Sequence, residues 1–171
     1  MSVKQFSAHY DPLEDRILLR FNTRDGDLYQ FWVTRLIAKS LNLHAQSALE
    51  QSAAAEHTER SSKIIVEFQK EGLKKQLSFQ ESFEGGSQMP LGSESILITQ
   101  VTMEKAGESV VIAFALTTNQ ILRFSLLPMQ VQVFTLLIER LVQQADWRLI
   151  EMLPESESIG NQEKDSGVQL H

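Results

Sequence analysis

The chain has 171 residues and no cysteine, is 42% hydrophobic and 22% charged, and carries a formal net charge of −6. That length supports one domain with its own core, and the composition is that of an ordinary soluble globular protein. Disulfides and thiolate metal sites are excluded. No apolar run approaches the roughly 20 residues of a membrane-spanning helix. The opening MSVKQFSAHYDP lacks the apolar stretch of a secretory signal. The expected compartment is therefore the cytoplasm, with no membrane partner. Charge is uneven: the segment 151–171 sets Glu151, Glu155, Glu157, Glu163 and Asp165 against Lys164. The rest is close to neutral, which neither invites nor forbids a nucleic-acid partner.

In chain order, residues 3–10 (VKQFSAHY) alternate loosely and predict a strand. Asp11-Pro12-Leu13-Glu14-Asp15 is turn chemistry. Ile17, Leu19 and Phe21 share one face of a second strand, with Arg16, Leu18 and Arg20 on the other. Arg24-Asp25-Gly26-Asp27 predicts a hairpin turn, Gly26 being free to take a positive φ. Tyr29, Phe31 and Val33 line one face of the third strand, and Leu28, Gln30 and Trp32 the other. Thr34 is the expected helix N-cap. From Arg35 the apolar period changes from 2 to about 3.6, with Ile37, Leu41, Ala45, Ala48 and Leu49 as the stripe.

A connecting segment, 50–79, continues with helical propensity. A second helix is expected from about 57 to 78; a strand pair, KIIVEFQ and LKKQLSF, is the alternative. Residues 80–95, rich in Gly and Ser, read as a loop that crosses the molecule. ILITQVTM (96–103) predicts a strand and Glu104–Gly107 a turn. Strands follow at Ser109–Leu116 and Ile121–Leu126. Pro128 suits the first turn of a helix whose stripe is Val131, Phe134, Leu137, Ile138 and Leu141, ending near Ala145. Trp147 is the last clear apolar anchor, and from Pro154 the composition predicts disorder.

Residues 3–49 and 96–142 superpose at a shift of 93 without a gap, turn on turn and helix start on helix start. Ile17 meets Val110, Leu19 meets Ile112, Phe21 meets Phe114, and Phe31 meets Phe124. The expected fold is α+β: a single domain, 1–150, with an antiparallel sheet of about six strands. Two three-stranded meander-plus-helix units build it, with the helices on one face, and an acidic tail follows at 151–171.

Motifs that would carry chemistry are weak. His9 stands beside Asp11, but a solvated strand histidine before a turn is the plainer account. His44 and His57 have no carboxylate at a spacing that would orient a ligand, and His171 is in the tail. Asp25 and Asp27 flank Gly26, and Asp11, Glu14 and Asp15 form the neighbouring turn; strand turns are acidic by default, and no calcium-loop pattern accompanies them. No nucleophile motif or phosphate-cradling loop is present. Lys70, Lys74 and Lys75 suit a solvated helix face. No catalytic residue, metal or cofactor is assigned, and enzymatic activity is not expected.

Parity is more informative. If Phe21, Phe31, Phe114 and Phe124 face the helices, then Gln5, Ser7, His9, Leu18, Arg20, Gln30 and Trp32 point away. So do Ile98, Gln100, Thr102, Ala113, Ala115, Arg123 and Ser125. Arg20, Gln30, Trp32 and Arg123 are the candidate interaction residues. Such a face serves a homodimer or protein partner, where Trp and Arg are favoured anchors. It can instead stack and track single-stranded nucleic acid, or be covered by the 57–78 segment and become core.

DRILLRFNTRDGDLYQFWVTR, with ILRFSLLPMQVQVFTLLIERLVQQADW, resembles an uncharacterised family of small proteobacterial proteins over most of residues 7–150. That resemblance implies a bacterial source and no functional residue. The repeated sheet-plus-helix layout looks, more distantly, like the Whirly and PUR class of single-strand binders, although this chain lacks their strongly basic sheet. The reading that results is a non-enzymatic cytoplasmic association module, acting as a homodimer or through a protein partner. Single-stranded nucleic-acid binding through Arg20, Trp32 and Arg123 is the alternative, and a small-molecule enzyme comes third.

Overall fold

A computed structural model describes residues 1–54 and 83–147. The expectations for the 57–78 segment, for His57, His171, Lys70, Lys74 and Lys75, and for the 151–171 tail fall outside the described residues. The element order is β1 (Val3–Asp11), β2 (Arg16–Thr23), β3 (Leu28–Val33), α1 (Arg35–Ala54), β4 (Ile96–Ala106), β5 (Ser109–Leu116), β6 (Ile121–Leu126) and α2 (Pro128–Gln144). The class is α+β, with six strands in the sequential order β1 to β6.

Local chemistry sets the boundaries. Residues of β3 alternate half-buried and buried, as its period of two requires. Gly26 turns the chain at φ 87° and Asn119 at φ 61°, the left-handed region that Gly and Asn enter at least cost. The Thr34 hydroxyl accepts the Ile37 N–H and caps α1. Pro128 opens α2, and the Gln130 side chain accepts the Leu127 N–H. β4 runs past its expected end to Ala106, because Lys105 and Ala106 stay in register with Val110 and Ser109. The turn shrinks to Gly107, at φ 63°, and Glu108.

The two units repeat one another in register. Ile17↔Val33, Leu19↔Phe31 and Phe21↔Tyr29 join β2 to β3. The pairs offset by 93, Val110↔Leu126, Ile112↔Phe124 and Phe114↔Leu122, join β5 to β6. The first strands need a different offset, which corrects the gapless shift. β1 turns into β2 through four residues and β4 into β5 through two, so β1 maps onto β4 at 95. With that allowance the irregularities coincide: β1 slips register between Val3 and Gln5, and β4 between Ile98 and Gln100. The bulge at Thr99 reverses parity behind it. Ile98 therefore enters the core at 1% exposure rather than pointing outward as the alternation predicts.

The units join through parallel pairings, not the all-antiparallel sheet expected. β3 meets β4 at Phe31↔Ile96 and Trp32↔Leu97. The bridge Ser2↔Ser125, also parallel, brings the two ends of the sheet together, and the Ser125 N–H donates to Met1 O at 2.7 Å. Ser2–Ser125 is the counterpart of Trp32–Leu97 under the same offsets. The sheet is rolled. In a flat sheet Phe21 on β2 and Phe124 on β6 would stand ~19 Å apart, four strand spacings; their ring centroids are 5.1 Å apart. Phe31 and Phe114 meet at 5.3 Å, and Phe134 of α2 reaches Phe21 at 5.7 Å. The inward strand residues and the stripes of both helices form one buried cluster. α1 packs on β4, α2 on β1, and the helices on each other.

Candidate functional site

The outward face of the first unit holds three of the four candidate residues together. Arg20 on β2 stands opposite Gln30 on β3, and Leu18 opposite Trp32. Trp32, half-buried, also neighbours Leu97 across the parallel junction. Its surroundings are thus apolar on both sides, which explains an indole there without any ligand.

The described part of the long loop, 83–95, straps across this face. Phe83 lies over the Arg20 guanidinium, 5.1 Å from its centre. The Asn22 side chain, 3% exposed, donates to Glu84 O at 2.7 Å and accepts the Gln5 N–H at 2.9 Å. Lys4 pairs with Glu84 at 2.7 Å and pulls its carboxyl below the usual range. Beyond it the Ser87 N–H donates to Gly26 O, and the Leu28 N–H to Gln88 O, both at 2.8 Å. The Gln30 amide donates to Ser93 O. Asn22, Arg20 and Gln30 thus hold the chain's own loop.

Arg123 is not part of that group. It is the counterpart of Gln30 in the second unit, exposed on β6, with its backbone O accepting the N-terminal ammonium. The face around it has another character. Every outward side chain in the middle of β5 is apolar: Val111, Ala113 and Ala115, all half-buried. Ile121 on β6 is 56% exposed. The β5 side chains are apolar and only half-buried, whereas a solvated sheet face is ordinarily polar. Exposed Arg123 stands on one flank of β5 and exposed Glu104 on the other.

A polar cluster that spacing could not announce ties the two ends of the fold. Asp15, at φ 48° in the β1–β2 turn, accepts the Trp147 indole N–H and the Tyr10 hydroxyl at 2.8 Å each, and Arg35 at 2.8 Å. Trp147 is 2% exposed and meets Tyr10 edge-on. The indole N–H, then the Tyr10 hydroxyl and Arg35, hold the Asp15 carboxyl below its ordinary 3.8, at about 2, and the carboxylate raises Tyr10 in turn. A carboxyl depressed by folding stabilises above its unfolded pKa and loses that contribution as pH falls through the folded one. Chemical denaturation should therefore show the wild type losing stability between pH 4 and pH 2 more steeply than Asp15→Asn. Parallel profiles would remove Asp15 from the account.

The remaining sequence candidates are dispersed. His9 is exposed, and the Asp11 carboxylate is engaged by the Leu13 and Glu14 N–H groups of its own turn. The Asp27 carboxylate accepts the Tyr29 hydroxyl, whose pKa is raised by burial and by Asp27. Among the described residues no group of three His, Asp or Glu stands where it could hold a metal ion. Nor is any helix there long and apolar enough to cross a membrane. Sequence reasoning passed over Asn22 and Val111, and weighed Asp15 only as one of the turn carboxylates. The signal available for Val111 was three apolar residues at alternate positions on the face that points away from the helices. Comparison with protein-family models, with curated proteins and with solved structures finds no match for this chain.

Proposed function

We propose that this protein is a non-enzymatic cytoplasmic association module that pairs with a second copy of itself through the outward face of β5. The observation that carries the reading is the row Val111, Ala113 and Ala115, small and apolar where water should be met. Small side chains let two sheets approach face to face. A two-fold axis parallel to β5 sets the β6 flank of one copy against the β4 flank of the other. Each Arg123 then meets the partner's Glu104, so one patch is complementary to itself. The first unit lacks this character because its outward face already holds the strap.

Light scattering on the full chain is expected to give a dimer, and a strict monomer at every concentration overturns the reading. Arg123→Glu and Glu104→Arg should each weaken the dimer, and the double exchange should restore it. Losses that merely add would remove the proposed pairing.

A further inference from the structure

We propose that the outer face of α1 is a second self-association surface, on which two copies of the chain pair their α1 helices antiparallel. Leu36 and Leu43 are 70% and 60% exposed, the two most exposed large apolar side chains of the described helices. They stand seven residues apart, so they share one face of the helix. The buried stripe Ile37, Leu41, Ala45 and Ala48 occupies the opposite face. The two leucines therefore point away from the core, where nothing of the fold needs them.

The second unit treats the same position differently. At the shift of 93, Leu43 falls on Leu136 of α2, which is covered to 5% exposure. Ser40 and Ser47 fall on Val133 and Arg140. The uncovered leucine with small neighbours is thus peculiar to α1.

The pattern of the face selects its occupant. Leu36, Ser40, Leu43 and Ser47 are spaced four, three and four residues apart, the seam of a coiled coil. Large and small side chains alternate along it. Antiparallel pairing about a two-fold axis between Leu41 and Asn42 sets Leu36 against the partner's Ser47 and Ser40 against the partner's Leu43, and symmetry repeats both pairs. Every layer then holds one leucine over one serine, the large-against-small arrangement that lets facing positions interdigitate. On the flank Lys39 stands beside the partner's Gln46, so no like charges meet. The complement of this face is the face itself. Two leucines per copy make a contact below the roughly 1,200 Å² of a stable interface, so the pairing is weak and grows with concentration. This surface is separate from the β5 face and stands or falls without it; where both act, it joins β5 pairs into larger assemblies.

Cross-linking of the full chain, which has no native cysteine, tests the pairing. At a rise of 1.5 Å per residue the two Ser40 positions stand about 4.5 Å apart along the helix axes, and the two Gln51 positions about 28 Å. A short bis-maleimide should therefore give a covalent dimer of Ser40→Cys, in a yield that rises with protein concentration. Gln51→Cys should give almost none, although Gln51 is the more exposed of the two. Adding Leu43→Glu should lower the Ser40→Cys yield at least about tenfold, because it opposes like charges within the seam. Adding Arg123→Glu, which weakens the β5 pairing, should leave that yield unchanged. Leu43→Glu should also leave the thermal midpoint unchanged, as substitution at an exposed position does. Equal yields from Ser40→Cys and Gln51→Cys, a yield that Leu43→Glu leaves intact, a yield lost with Arg123→Glu, or a lowered midpoint for Leu43→Glu overturns the proposal and leaves the seam to a different protein or to none.

Discussion

Phe21→Ala is expected to lower the free energy of unfolding by about 3–5 kcal/mol, the range for truncating a buried aromatic that leaves a cavity. Phe21 is fully buried, and its ring meets those of Phe6, Phe31, Phe114, Phe124 and Phe134 at 5.1 to 6.4 Å. Those rings come from β1, β3, β5, β6 and α2, so one side chain touches both units and a helix. Domains of this size are stable by about 5–15 kcal/mol in total, and the variant should sit near the threshold of folding. Urea denaturation followed by tryptophan fluorescence measures it. A loss below about 1 kcal/mol, the ordinary level for a substitution outside any packed core, would mean that the rings do not share one core.

Gly86→Ala should give the second large effect, about 1–3 kcal/mol, the range for forcing extra atoms into a packed site. A Cβ at this position would stand 2.7 Å from Gly26 O, 2.7 Å from Leu28 N and 2.8 Å from Leu28 Cβ. Two of the three are backbone atoms of a hairpin fixed in register and cannot rotate away. The strap must lift, and with it the hydrogen bonds from Ser87 and to Gln88 at Gly26 and Leu28. The same substitution at Gly85, where a Cβ would meet nothing within 4 Å, is the matched control. Amide exchange at Leu28 reports the lifting directly: faster exchange in Gly86→Ala and native exchange in Gly85→Ala are expected. Equal exchange in the two variants would contradict this role for the strap.

The parts of the fold that could be read from the residues are those that depend on neighbours in the chain. The alternation of Ile17, Leu19 and Phe21 against Tyr29, Phe31 and Val33 announced both strands and their register, since Gly26 fixes the turn between them. The second unit was legible for the same reason. What escaped was long-range or conformational. Thr99 carries no mark of a bulge, so Ile98 was assigned to the wrong face. The two-residue difference between the first turns hid the true offset of β1 against β4. The closing of the roll at Ser2 and Ser125 depends on backbone groups alone, and side-chain pattern is silent about those.

The candidate site divides along the same line. Arg20, Gln30 and Trp32 do share a face, because parity on adjacent strands is a local property. Arg123 was grouped with them on the picture of one open face; it stands on β6 beside the chain's N-terminus, away from the strap that holds Arg20 and Gln30. Trp32 was chosen as a large aromatic on the outward face. Its position between Leu18 and Leu97 accounts for the indole by packing. Asp15 and Trp147 are 132 residues apart, and no spacing rule could have joined them.

The absence of native cysteine makes the association surface directly measurable. Ala113→Cys places one thiol at the centre of the β5 face, and His9→Cys places one on the exposed outward edge of the first unit. Treated with a short bis-maleimide at a concentration where light scattering reports the native state, Ala113→Cys should give a covalent dimer in high yield and His9→Cys almost none. Equal yields from the two variants, or no dimer from Ala113→Cys, would contradict association through β5.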